Sequence, residues 1–524
     1  MAEFDQPRCS VVVCQVPQSD DDRRLGARNA ECDISGPHGA RRVHNQGRTG
    51  QYTGVFIFRS ANGAGSVNFP GVRLKWSYGS DGVGDNDLID VWVFAIEMVL
   101  VPEGAFAAGS GGSEILPFTL TTINTVDATV APSGSGSLGG QAGGYPTGQT
   151  VPGNASWPNG FSTFYCMKYE ISQGQYADFL NSLTTAQAGN RFPNRYGNKR
   201  HTIRGGYPYF TASVPDRACN FISWTDSVAY ADWSGLRPMT ELEYEKACRG
   251  TKAPVANEYA WGTTSIYGAH YTLINDGTPM AQISDMGIGV GNASYCPTTD
   301  GSFNGQLRCG IFAASDTAPD RVETGASFYG IMELSGNLCE RPVTIGNATG
   351  RAFTGLHGDG LLTAVGSADV VAWPADNASG AGFRGGHWYG DVSNPRSSDR
   401  AAAADSIPNR GGYDGFRCVR SGPVPFIGLS ETIPSQAPFT GGDADGYDKF
   451  AAPIITLNEI IIEFACPDVV QSLCDDFSSG AFRVFSVAYL RDEIRLHIEA
   501  AASASCTPTE IDQCIADFLA AVGF

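Results

Sequence analysis

Apolar side chains alternate with polar ones along Val72, Leu74, Trp76 and Tyr78, with Arg73, Lys75 and Ser77 between them. A period of two puts one set on each face of a strand. Gln51 to Phe58 repeats the pattern, and Leu88 to Leu100 is apolar on both faces, which predicts a central strand. Asn62-Gly63 and Asp81-Gly82 supply turns between these runs. The first 97 residues therefore read as a small antiparallel β module.

The period then lengthens. Tyr176, Phe179, Leu180 and Leu183 share one helical face, and Ser172 with Gln175 forms a capping box ahead of them. A second helix is predicted from about Thr225 to Ser234 with Gly235 just past its end. A third starts at Thr240, boxed by Glu243, stops at Gly250, and buries Leu242, Ala247 and Cys248. Residues 109–160 are rich in Gly, Ser, Thr and Pro and predict loops. Gly134, Gly136 and Gly139 there spell G-x-G-x-x-G, but neither the strand nor the helix that holds a dinucleotide flanks them. From 250 to 420 only short strands are expected.

Composition narrows the function classes. The chain has 524 residues, 65 of them Gly and 29 Pro, which excludes a helical bundle, and a formal charge of −19, which repels phosphate backbones and anionic lipid. No nucleic acid is expected as a partner. The longest apolar runs, near Val91 to Ile96 and Ile460 to Ile462, are far short of a membrane helix, so no membrane insertion is expected. The opening MAEFDQPRCS has no apolar core of the kind a secretory signal needs. The 14 Cys contain no C-x-x-C, which argues against structural zinc, and Cys466/Cys474 repeat the spacing of Cys506/Cys514, which suits two bridges or free thiols.

Five motifs, in order, resemble the formylglycine-generating, sulfatase-modifying enzyme family, whose domain is a variant of the C-type-lectin-like fold. They are Glu97 to Phe106; Tyr169 to Leu180; Ile222 to Gly250 with Tyr259 to Gly262; Gly330 to Glu340; and Phe383 to Gly386 with Gly415 to Cys418. Within them Gly385, Gly386 and Gly415 fit places where backbone turns or approaches closely, and Trp224, Trp233, Tyr244 and Trp261 are large enough to organise a core. The resemblance implies a loop-rich α+β, C-type-lectin-like domain over 98–421. It would be preceded by the β module (1–97) and followed by a linker (422–452) and a small Cys-containing helical or α+β unit (453–524).

The family's enzymes bind copper through two cysteines just beyond the Gly-Gly motif. Alignment puts Gly390 and Pro395 at those positions, and no cysteine lies between Cys339 and Cys418. A soft copper ion needs thiolates, so no copper and no formylglycine chemistry are expected. The His residues at 38, 44, 201, 270, 357, 387 and 497 form no H-E-x-x-H, and no G-x-S-x-G elbow is present. The family commonly carries structural calcium, and the resemblance implies side-chain oxygens from Glu333 and Glu340 with carbonyls from Gly336 and Leu338. The alternative is that these carboxylates are solvated or paired with Arg. Asn292 and Ala293 lie near a second family site. Asp443 to Asp448 resembles half a calcium loop, but Ile454 stands where an EF-hand needs an acid.

Where the family has its catalytic loop, this chain has Trp388, Tyr389, Asp391, Asn394, Arg396, Asp399, Asn409, Tyr413 and Asp414. Aromatic rings give contact area at low entropic cost while amides and charges fix orientation, so the mixture reads as a ligand-binding face or else an ordinary solvated loop. Non-catalytic relatives, including proteins diversified by retroelements, use this region to bind. The resemblance therefore implies recognition or adhesion, with a protein or glycan on a cell surface as ligand. The location would be extracellular, on a cell surface or on a virion. Two alternatives remain: a surface, appendage or virion component in a homo-oligomer or larger assembly, and an oxygen-dependent metalloenzyme.

Overall fold

The computed structural model describes residues 92–129, 152–296, 303–316 and 320–422, and the backbone of strands at 8–15, 30–33, 39–44, 52–58 and 73–76. The G-x-G-x-x-G segment, the Asp443 to Asp448 run, the linker beyond Gly422 and the tail cysteines lie outside the described residues. Two compact units divide the chain, Met1–Arg59 with Gly63–Ser421, and Ser60–Asn62 with Gly422–Phe524.

The first unit is built on a seven-stranded sheet. Its strands are β1 (Arg8–Gln15), β2 (Gly39–His44), β3 (Tyr52–Phe58), β4 (Trp92–Val101), β5 (Phe164–Met167), β6 (Arg237–Pro238) and β7 (Cys418–Ser421). Their order is β6-β7-β5-β4-β1-β3-β2, and every pairing is antiparallel. The run that is apolar on both faces is β4, at the middle of the sheet. It pairs with β1 from Arg8↔Val99 to Gln15↔Trp92 and with β5 from Met98↔Met167 to Val101↔Phe164. Residue 97 lies inside β4, so hydrogen bonding runs unbroken from the N-terminal strands into the strands that follow. The alternating run at 72–78 forms Arg73–Trp76 and pairs separately with Ala30–Asp33.

Helices α1 (Gln173–Ser182), α2 (Thr185–Arg191), α3 (Trp224–Trp233) and α4 (Glu241–Arg249) each begin with a complete capping box, at Ser172/Gln175, Thr184/Gln187, Ser223/Asp226 and Thr240/Glu243. Each box satisfies backbone N–H groups that a helix start otherwise leaves open. Gly235 and Gly250, at φ +67° and +65°, stop α3 and α4. No helix among the described residues is long and apolar enough to cross a membrane.

Aromatic rings make the core. Trp233 packs against Phe94, Phe179 and Tyr230 at centroid distances of 5.2, 5.4 and 5.3 Å. Trp224, Tyr244 and Trp261 are likewise buried. A second, ionic core forms around α4. Glu241 accepts from Arg400 Nε (2.8 Å) and Arg384 Nη1 (3.0 Å), Glu245 from Arg384 Nη2 (2.9 Å) and Arg249 Nη1 (3.2 Å), and Arg249 Nε also pairs with Glu258. Three carboxylates thus face three guanidiniums out of water, which is tolerable only because each charge is matched.

Candidate functional site

Arg384 ties the Gly-Gly turn to this ionic core, and the turn sets up everything after it. Gly386 holds φ +67°, and a Cβ there would sit 2.8 Å from Asn394 C and Pro395 N. Only glycine lets the returning backbone at 394–395 pass so close. At the far end of the segment, a Cβ on Gly415 would meet Leu338 Cβ at 2.5 Å. Residues from 383 to 414, together with Cys339, line a cleft with a cavity volume of about 420 Å³.

The structure divides the nine predicted face residues. Asn394, Asp399, Asn409, Tyr413 and Asp414 line the cavity. Tyr389 and Asp391 are exposed outside it, with Tyr389 at 64%. Arg396 is half-buried and donates to Asn257 Oδ1 at 3.2 Å. Trp388 is no surface residue. It is 2% exposed, packs with Ala218 and Leu338, and donates its indole N–H to Gly412 O at 3.1 Å. The expectation that Trp388 belongs to the face is therefore corrected: its ring is the floor on which the loop rests. Asp399 and Asp414 are also largely spent. Asp399 accepts from Ile115 N and Ala401 N, both at 3.2 Å, and Asp414 accepts from Gly411 N (2.9 Å) and pairs with Arg341 (3.4 Å). Burial pushes both carboxyls up from their ordinary value.

Sequence reasoning missed His387, Phe383, Asp405 and Ile407, all of which line the cavity. His387 stacks on Tyr413 with ring centroids 4.5 Å apart and planes 24° from parallel. Its Nδ1 accepts from Tyr389 N at 3.2 Å, and burial, opposed by Asp391, pushes its pKa down to about 4. The ring is thus neutral at pH 7, with Nε2 as the donor. Its position immediately after Gly-Gly was the available signal.

The donor set does not fit copper. Gly390 and Pro395 offer no sulfur, and the cysteine in the lining, Cys339, is a thiol that burial pushes well above its ordinary pKa.

The Gly330 to Glu340 turn presents a different chemistry. Glu340 Oε1 takes Arg417 Nε at 2.5 Å, and Glu333 Oε1 accepts from Gly310 N at 2.8 Å. The second oxygen of each carboxyl is buried with no hydrogen-bond partner. Glu170 lies beside them, accepting from Leu338 N (2.8 Å) and Asn337 Nδ2 (2.5 Å). Burial raises all three carboxyls, Glu333 to about 7, and Glu340 raises Glu170 further. Asn292 spends its amide on Gly287, Val290, Glu323 and Tyr271. Elsewhere Asp232, grouped with Asp359 and Asp369, gives its two oxygens to the N–H groups of those residues at 2.9 and 3.1 Å, so it staples a loop to α3.

Residues 95–422 match the sulfatase-modifying factor enzyme 1-like domain. The chain is 30% identical over 145 residues to the formylglycine-generating enzyme of Bos taurus, a stretch that is 22% of this chain and 37% of that protein, well under two thirds of its length. Among solved structures, PvdO from Pseudomonas aeruginosa aligns over 62% of this chain and 95% of its own at 18% identity, with a TM-score of 0.33. Treponema denticola variable protein 1 aligns over 63% and 96% at 12% identity, with a TM-score of 0.31. With the match running through 95–422 and all five motifs inside or at the edge of it, the chain belongs to the formylglycine-generating, sulfatase-modifying enzyme family and carries its C-type-lectin-like domain.

Proposed function

We propose that this domain recognises rather than transforms its ligand, and that the ligand seats in the cleft between the Gly-Gly turn and Tyr413. The observation that carries this reading is the cavity of about 420 Å³ walled by the His387–Tyr413 stack and Phe383, in the loop where Gly390 and Pro395 replace the family's thiolates. A concave, largely apolar site with a few converging polar groups is the usual form of a ligand pocket. The partner we favour is a protein or glycan on a cell surface, met outside the cell or on a virion. A combined protein and glycan array tests this with wild type and a Tyr389→Ala, Tyr413→Ala variant. Both residues are exposed, so the variant keeps its core. Loss of a specific signal supports the reading, and equal signals retire it.

We also propose structural calcium at the Gly330 to Glu340 turn, held by the free oxygens of Glu333 and Glu340 and the carbonyls of Gly336 and Leu338. The support is chemical. Three buried carboxyls gather around Arg417, with Lys168 and Arg308 also acting on Glu333, and two of their oxygens lack hydrogen-bond partners. A hard cation would supply the missing charge and accept oxygen ligands of this kind.

A further inference from the structure

The charges around the cleft narrow the ligand class. Asp399, Asp405 and Asp414 line it, and Arg384 is the guanidinium among the lining residues. Arg384 is already balanced by Glu241 and Glu245, and it gives Ser397 O a further bond at 2.7 Å. Asp414 is matched by Arg341, and Asp399 is held by two backbone N–H groups. Asp405 differs from both. It is exposed, and its carboxylate makes no hydrogen bond or ion pair among the described residues. Neutral His387 adds no positive charge, and the chain as a whole carries −19. The lining therefore holds one unspent carboxylate and no unspent cation, a balance that favours positive charge.

Shape completes the argument. Phe383, Ile407, Ala401 and Ala402 give an apolar wall, and Tyr413, 42% exposed, presents a ring. An aromatic face attracts a cation held over it, and an apolar wall accommodates the methylene stem that carries one. Resting on the reading of the cleft as a ligand site, we infer that it takes an organic cation: a guanidinium or primary ammonium on an apolar stem, with Asp405 as counter-charge and Tyr413 as stacking surface. An anionic ligand would meet carboxylates with no uncommitted cation among the lining residues to offset them. Because Asp405 is exposed, the charge pairing is modest and weakens with salt.

The experiment is titration calorimetry on the full chain with four probes: n-butylguanidine and the capped tripeptides Gly-Arg-Gly, Gly-Gln-Gly and Gly-Glu-Gly. The expected result is that at least one guanidinium probe binds about tenfold more tightly than the Gln and Glu peptides. Asp405→Asn should remove most of that preference without moving the melting temperature, and high salt should weaken binding. Binding by both guanidinium probes identifies a free small cation as a sufficient ligand. Binding by the Arg peptide alone identifies a side chain on a protein. Either outcome supports the inference. Equal or tighter binding of the Gln or Glu peptide, or an Asp405→Asn variant with unchanged preference, overturns it. An array ligand without a cationic group, lost on Tyr413→Ala, would overturn the cation inference while leaving the cleft as a binding site. No binding by any probe together with a blank array would overturn both.

Discussion

Replacing Glu241 by Gln removes one charge from the ionic core and almost no volume. Glu241 is fully buried, and its two oxygens accept from Arg400 Nε (2.8 Å) and Nη2 (3.0 Å), Arg384 Nη1 (3.0 Å), Thr344 Oγ1 (2.5 Å) and Ile345 N (3.1 Å). The amide keeps the shape but offers one acceptor where two stood; it removes the carboxylate that Arg400 pairs with and leaves Arg384 paired to Glu245. Breaking a buried pair in this way costs about 3–5 kcal/mol. An unfolding entropy of about 2.1 cal/mol/K per residue gives roughly 0.7 kcal/mol/K for the span 95–422, so the melting temperature should fall by about 4–7 °C. Calorimetry or circular dichroism reads this directly. Burial alone would raise the Glu241 carboxyl, but Arg400, Arg384 and Thr344 outweigh it and hold the pKa below the ordinary value. A depressed carboxyl contributes stability that is present above its unfolded pKa and lost as pH falls through the folded one. The deficit of the variant should therefore shrink in acid. Adding Arg400→Met should recover part of the loss, since removing both partners of a buried pair is close to neutral. A fall of less than about 1 °C at neutral pH would refute the matched-charge account.

Three further outcomes follow from burial and bonding. Trp388→Ala should cost about 3–5 kcal/mol in denaturant unfolding while Tyr389→Ala stays within about 0.5 kcal/mol, and similar costs for the two would contradict the assignment of Trp388 as floor and Tyr389 as rim. His201 is buried with Nδ1 2.9 Å from Asn220 Oδ1, and burial pushes its pKa down to about 4. A depressed histidine contributes stability that is complete above its unfolded value near 6.5 and drains as pH falls toward about 4. Unfolding free energy should therefore fall over that window more steeply in wild type than in His201→Gln, and identical slopes would count against it. Added calcium should raise the melting temperature over that in chelator, and Glu333→Gln should abolish the difference; no difference in wild type removes calcium from the turn.

Two of the four capping boxes were read from the sequence, because each is a bond between residues three apart. Ser172 with Gln175 and Thr240 with Glu243 needed no knowledge of the rest of the chain to mark α1 and α4. The two-faced apolar run was legible as a central strand for a similar reason, since a strand covered on both sides has no polar face to show. The family motifs located the Gly-Gly turn from residue identity alone.

The character of the loop after that turn was another matter. Trp388 and Tyr389 are neighbours with similar chemistry, yet one is floor and the other rim, because Gly412 O and the side chains of Ala218 and Leu338 arrive over Trp388 from elsewhere in the chain. Asp399, Asp405 and Asp414 read alike in sequence; only folding brings Ile115 N–H to the first and Arg341 to the last, leaving Asp405 uncommitted. The sequence by itself determined the local turns and caps and the sheet's central strand, since those depend on near neighbours. Tertiary structure decided which charges are spent and which side chains meet a ligand, since burial and partnership are properties of whatever the rest of the chain packs against a residue.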